Sequence, residues 1–149
     1  MKKFQYRLQP LLKVKSEIEK RRQKELAEVH RRIILQQDRL DGLEQEKLSA
    51  QNRQRENLSG KITVAEMLVY ARYFMKLKRQ KISDHEMLRV LEIDFEKKRQ
   101  ILLAASIERK KYEKLKEIQE SKHVAELNKR EAKQSDEFGR ISHHNKSRR

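Results

Sequence analysis

His30, His85, His123, His143 and His144 are the side chains best suited to proton or metal chemistry, and their spacing does not assemble them. None has the i, i+4 partner and acidic neighbour with which a helix holds a catalytic metal. His143-His144 is an adjacent pair in a polar tail, able at most to take up a metal weakly. The 23 Asp and Glu are plentiful. A carboxylate becomes a general acid or base only where a pocket shifts its pKa, and this chain has little apolar material to build one. The absence of Cys excludes thiol and disulfide chemistry. With 3 scattered Gly there is no glycine-rich loop to cradle phosphate. No catalytic residue, no cofactor and no metal is expected, and the chain reads as a non-enzyme.

The elements that position these residues are helices. Apolar residues make up 36% of the chain and charged residues 41%, with 1 Pro and no Trp. That balance suits long solvated helices and argues against a compact sheet protein. It is also compatible with disorder. The decisive feature is an apolar repeat spaced by three and four. It runs Leu8, Leu11, Ile18, Leu26, Val29, Ile33, Leu40, Leu43, Ala50, Leu58, and then Met67, Tyr70, Phe74, Leu77, Leu88, Leu91, Phe95, Leu102, Ala105, Tyr112. Such spacing keeps one narrow stripe of a helix facing a partner helix.

The repeat breaks at Leu58-Ser59-Gly60-Lys61-Ile62-Thr63. Gly60 suits the left-handed residue that ends a helix, and Thr63 with Glu66 forms a capping box that starts another. A connection this short favours antiparallel neighbours. The fold expected is all-α: a long two-helix antiparallel coiled-coil hairpin with an overhanging second helix. Its parts are residues 1–9 as an N-terminal arm or first turn, 10–58 as the first helix, 59–63 as the turn, 64–133 as the longer second helix and 134–149 as a flexible basic tail. Pro10 fits a first helical turn; the alternative is a helix that begins near Phe4 and bends at Pro10. Pairing outward from Gly60 sets Leu8 near Tyr112, so residues beyond about Leu115 overhang, with Ile118, Val124, Ala125 and Leu127 unpartnered inside the chain.

The seam carries faults. Ile18, Arg22 and Leu26 step by four and four, a stutter that unwinds a supercoil locally. Lys15, Arg22, Gln36, Lys47, Lys81, Asp84, Lys98 and Arg109 also stand on seam positions. Long Lys and Arg stems snorkel out of such places, and polar seam residues fix register. Residues 62–77 are apolar around the whole helix, whereas one seam covers about a third of the circumference. Either the turn folds an extra segment over itself or a partner covers the patch.

The net charge of +15 arises from 38 Lys and Arg, mixed along the chain with acids. Most of it reads as solvated helical faces, and the excess attracts acidic surfaces. No run of roughly 18 apolar residues marks a transmembrane segment, and Lys2-Lys3 precede no apolar signal core, so a cytoplasmic protein is expected. A zipper-type DNA regulator runs a basic helix into its zipper. Here positive charge lies beside the seam throughout, and no specific nucleic acid is expected. A basic coiled coil that binds nucleic acid and a homodimeric structural coiled coil are the rival readings; the hairpin predicts a monomer.

The segment Phe4-Gln5-Tyr6-Arg7-Leu8-Gln9-Pro10-Leu11-Leu12 resembles the opening of the flagellar FliJ family. The heptad helix, the Gly near position 60, the Tyr/Phe-rich start of the second helix and Asp136-Glu137-Phe138 continue the likeness. The resemblance implies a stalk-like, noncatalytic component of the flagellar type III export apparatus, similar to the coiled coil of a rotary ATPase gamma subunit. It implies as partners the hexameric flagellar export ATPase, the export gate protein and the empty export chaperones. It places the protein at the cytoplasmic face of the cell membrane at the flagellar base. By the same resemblance, Leu8, Leu11, Leu12, Ile118, Leu127 and Phe138 contact the ATPase. Tyr70, Phe74, Leu77, Lys78, Lys81 and His85 contact the gate, although the family pattern prefers apolar residues where this chain has Lys78 and Lys81. The equivalent stalk of a virulence secretion system fits the same pattern.

Overall fold

Short isolated helices are marginal in water, so helices of this composition depend on burying a stripe against one another. The computed structural model describes residues 4–146, and the side chains of residues 4–141. It contains two helices, α1 (Gln9–Leu58) and α2 (Val64–Lys146), and no strand among the described residues. They pack into two compact units: residues 4–19 with 104–146, and Lys20–Leu103. In each unit the helices run antiparallel, because partners rise in number on one helix as they fall on the other. The second unit pairs Asn57 with Tyr70, Glu44 with Lys81 and His30 with Phe95. The first pairs Glu19 with Ser106 and Lys15 with Glu108.

The seam of α1 is regular. Leu12, Lys15, Glu19, Arg22, Leu26, Val29, Ile33, Gln36, Leu40, Leu43, Lys47, Ala50 and Gln54 are all buried or half-buried. They alternate steps of three and four without a fault. The expected stutter is therefore absent. The seam passes through Leu12, 8% exposed, rather than Leu11, 36% exposed. It passes through Glu19 rather than Ile18. A charged side chain occupies the place an apolar one was expected to hold. On α2 the seam follows the expected residues from Tyr70 to Tyr112, including Lys81, Asp84, Lys98 and Arg109. Met67 stands exposed outside it.

Both polar seam residues that become buried are paired. The Glu19 carboxylate accepts from Ser106 Oγ at 2.5 Å and from Arg109, which also pairs with Glu113. The Ser106 hydrogen bond, chiefly, holds the Glu19 carboxyl below its ordinary pKa, against the opposing pull of desolvation. Asp84 lies with Oδ2 2.9 Å from Arg39 Nε, an ion pair whose direction does not make a good hydrogen bond. Its backbone carbonyl accepts from Gln36 Nε2 at 3.0 Å.

The turn ends α1 differently from expectation. No residue among those described has a positive φ, Gly60 included. The helix tightens instead through Ser59 N to Glu56 O and Gly60 N to Asn57 O, while Ser59 Oγ donates to Glu56 O at 2.6 Å. Such three-residue closures satisfy terminal carbonyls without a left-handed residue. The capping box opens α2 as expected: Thr63 N donates to Glu66 Oε2 at 2.8 Å, and Glu66 N to Thr63 Oγ1 at 3.3 Å.

At the other end, α1 begins at Gln9, with Leu8 O accepting from Leu12 N and Pro10 in the first turn. Residues 4–6 form no regular element and Arg7-Leu8 a turn. They continue the antiparallel run onto α2, where Tyr6 reaches Tyr112. The Phe4 and His123 rings lie 5.7 Å apart. Paired structure thus reaches His123, and the half-buried Leu127 lies next to it; the unpartnered stretch does not begin at Leu115. From Asn128 to Ile141 every side chain is exposed. Helix α2 also continues to Lys146, past the expected end near Lys133. The segment Gln134–Gly139 lacks the apolar repeat but holds no Pro, and loss of a repeat removes packing rather than helical geometry. Residues 147–149 of the expected tail lie outside the described residues.

Candidate docking surfaces

With heptads written abcdefg and the seam at a and d, Phe74 and Lys81 are a positions on α2 and Leu77 and Asp84 are d positions. Their e positions, Lys78 and His85, look across a groove to Glu44, the e position of α1. Leu43, Glu44, Lys47, Phe74, Leu77, Lys78, Lys81, Ile82 and His85 line this groove, of about 550 Å³. Its floor is apolar and its rim is charged. Lys81 Nζ donates to Glu44 Oε2 at 2.5 Å, and that bond, chiefly, holds the Glu44 carboxyl below its ordinary range.

Five of the six residues assigned to gate contact by resemblance therefore surround one groove. Leu77 is buried in the seam, so it forms the floor and presents little surface. Tyr70 lies elsewhere, in a second groove on the opposite, g side with Ala50, Arg53, Val69 and Tyr73. Tyr70 stacks on Phe74 with centroids 6.4 Å apart and accepts from Asn57 Nδ2 at 2.8 Å. On the same side Tyr73 donates to Glu46 at 2.6 Å, which raises the phenol pKa. Glu44 and Ile82 were missed in the sequence. Heptad letters on both helices would have found them, because they flank the seam without belonging to it.

In the unit that holds residues 4–19, Leu8, Leu11, Leu12, Ile118, Leu127 and Phe138 divide by burial. Leu12 is a core residue. Leu8 and Leu127 are half-buried, whereas Leu11, Ile118 and Phe138 are exposed. Leu11 and Leu115 hold g positions, which face one another in an antiparallel pair, and Ile118 follows Leu115 by one turn. Together they make an apolar strip beside the seam. Phe138 stands apart on the exposed stretch of α2.

Among the described residues, no group of three or more His, Cys, Asp or Glu could hold a metal. Among the same residues, no helix is long and apolar enough to cross a membrane.

Residues 4–148 match the model of the family described as flagellar FliJ protein. The chain belongs to the FliJ family. Neither the curated proteins nor the solved structures yield a match. The match covers nearly all of the chain, from the Phe4 arm through both helices. FliJ proteins are components of the flagellar export apparatus.

Proposed function

We propose that this FliJ protein is a noncatalytic stalk of flagellar type III export. It binds the hexameric export ATPase, promotes assembly and activity of that ring, contacts the export gate and escorts empty export chaperones. It works at the cytoplasmic face of the membrane at the flagellar base, where flagellum assembly and hence motility depend on it. The observation that carries this reading is the family match over residues 4–148. The two-helix hairpin supports it.

The ATPase-facing surface is Leu8, Leu11, Ile118, Leu127 and Phe138, with Leu12 supporting them from the seam. The gate-facing surface is the groove of Phe74, Lys78, Lys81 and His85 over Leu77, with Tyr70 on the neighbouring face. The mechanism is differential binding. The stalk binds one subunit arrangement of the ring better than another, and only that difference shifts the balance. Its positive excess speeds encounter with acidic partners and makes binding salt-sensitive.

The test is to mix the chain with the export ATPase and to measure hydrolysis and co-elution at several salt concentrations. Stimulation that weakens with salt is expected. An unchanged rate with no co-elution defeats the stalk reading.

A further inference from the structure

The start of α2 carries a second apolar stripe that the hairpin does not use. Val64 (75% exposed), Leu68 (54%), Met75 (57%) and Ile82 (56%), with Ala71 between, follow one another by four, three, four and seven residues. These are e and b positions, so the stripe runs beside the seam toward the groove, and Ile82 belongs to both. On α1 the exposed Leu48 is a b position and stands on the same side. The groove thus has an apolar floor of Leu43, Phe74 and Leu77 under its charged rim, with the α2 stripe leading into it through Ile82. A second heptad stripe at the edge of a two-helix seam has the geometry of a site for a third helix. A membrane surface would favour a broader face, and this stripe is narrow.

Charge specifies the visitor. Between Lys61 and Ile82 stand Lys61, Arg72, Lys76, Lys78, Arg79 and Lys81, against the single acid Glu66. Glu66 is turned back into the cap of its own helix. Arg72 and Arg79 border the stripe at f positions; in the groove Lys81 and Lys47 engage Glu44, and Lys78 adds a further positive charge. The stretch spans roughly 27 Å of helix, about five turns.

We propose that this groove binds a third helix from a partner: an amphipathic helix with an apolar stripe flanked by Asp and Glu. The proposal rests on the reading of the groove as partner-facing and not on which partner supplies the helix.

The probe is a labelled, alanine-based helical peptide with one Leu stripe at a and d flanked by Glu, compared with the same peptide carrying Lys for Glu. Fluorescence anisotropy with the full chain should show binding of the Glu peptide and none of the Lys peptide. The double variant Leu68→Glu/Met75→Glu, checked by circular dichroism for unchanged helix content, should weaken binding about tenfold or more. Arg72→Glu/Arg79→Glu should reverse the peptide preference, which keeps the test decisive if the first variant misfolds. Equal binding of the two peptides, binding of neither, or undiminished binding by the Leu68→Glu/Met75→Glu variant overturns the proposal. Selective flotation with phosphatidylglycerol vesicles in place of peptide binding assigns the stripe to lipid, and a chain dimer dissolved by Leu68→Glu/Met75→Glu assigns it to a second copy; both overturn it too. These readouts need no ATPase, so failure here and failure of the stalk reading are separable.

Discussion

Tyr6, outside either helix, donates its hydroxyl to the backbone carbonyl of Tyr112 at 3.0 Å. Its ring is buried against α2. A helical carbonyl already accepts from its own helix, so this bond uses its second lone pair. The arm is thereby fastened at one polar point and one apolar point. Tyr6→Phe removes only the first and should destabilise by about 0.5–1.5 kcal/mol. Tyr6→Ala removes both and should cost about 3–5 kcal/mol. Thermal melts of the two variants check the order, and equal losses would show that the ring contributes nothing.

Glu19 tests whether a charge in the seam stabilises or merely specifies. Glu19→Ala leaves Ser106 without its acceptor and Arg109 with Glu113 alone, and should lower stability by about 1–3 kcal/mol. Glu19→Leu restores an apolar seam residue while Arg109 keeps Glu113. It should be neutral or stabilising, as hydrophobic replacements of buried ion pairs often are. A Leu variant as unstable as the Ala variant, by urea titration, would contradict this account.

Gly60 and Thr63 separate the end of one helix from the start of the next. A Cβ added at Gly60 would meet only Asn57 O at 3.5 Å, and the φ there is not positive. Gly60→Ala should stabilise by about 0.4–1 kcal/mol through the unfolded state. Thr63→Ala removes the cap and should cost about 0.5–2 kcal/mol. A large loss in Gly60→Ala would restore the left-handed ending that the spacing suggested.

The second seam was legible from Tyr70 to Tyr112 because its residues are mostly apolar and heptad-spaced. The first was misread at its beginning. Leu11 and Ile18 are apolar, Glu19 is not, and periodicity weighs side-chain type rather than the Ser106 and Arg109 that satisfy the carboxylate. Such partners lie some ninety positions away in the chain and leave no local signal. Gly60 misled for the opposite reason: its type permits a left-handed ending without requiring one. The capping box was legible because both partners lie within one turn. The groove was half legible. Resemblance supplied Phe74, Lys78, Lys81 and His85, whereas Glu44 and Ile82 emerge only when two helices are set in register.

Acid should loosen the helices before it dissolves them. Glu96 is held from 4.5 down to about 2, mainly by hydrogen bonds from Arg99 and then Gln100. Glu25, Glu44, Glu66 and Glu108 are lowered as well, by Arg22, Lys81, Thr63 and Lys111 respectively. A carboxylate whose folded pKa is depressed contributes stability above its unfolded value and loses it as pH falls through the folded one. The melting temperature should therefore hold from neutral pH to about 4.5 and decline from there toward about 2. The neutral-to-acid rise in positive charge acts in the same direction. A melting temperature that rises below pH 4.5 would reverse the sign of this linkage.

Adjacent leucines distinguish contact from support in the proposed ATPase surface. Leu12→Ala opens a buried seam position and should cost about 2–5 kcal/mol. Leu11→Ala trims a part-exposed g position and should cost little by comparison. Phe138→Ala, on a fully exposed stretch of α2, should leave the melting temperature unchanged within about 0.5 kcal/mol. If the apolar strip and Phe138 meet the ring, Leu11→Ala and Phe138→Ala should reduce stimulation of ATP hydrolysis while the chain stays folded. Leu12→Ala should reduce stimulation only as far as it unfolds the chain, and recover at lower temperature. The decisive comparison is stimulation at a temperature where all three variants retain full helicity. Loss in Leu12→Ala alone would move the contact off the exposed strip and into the seam's own integrity.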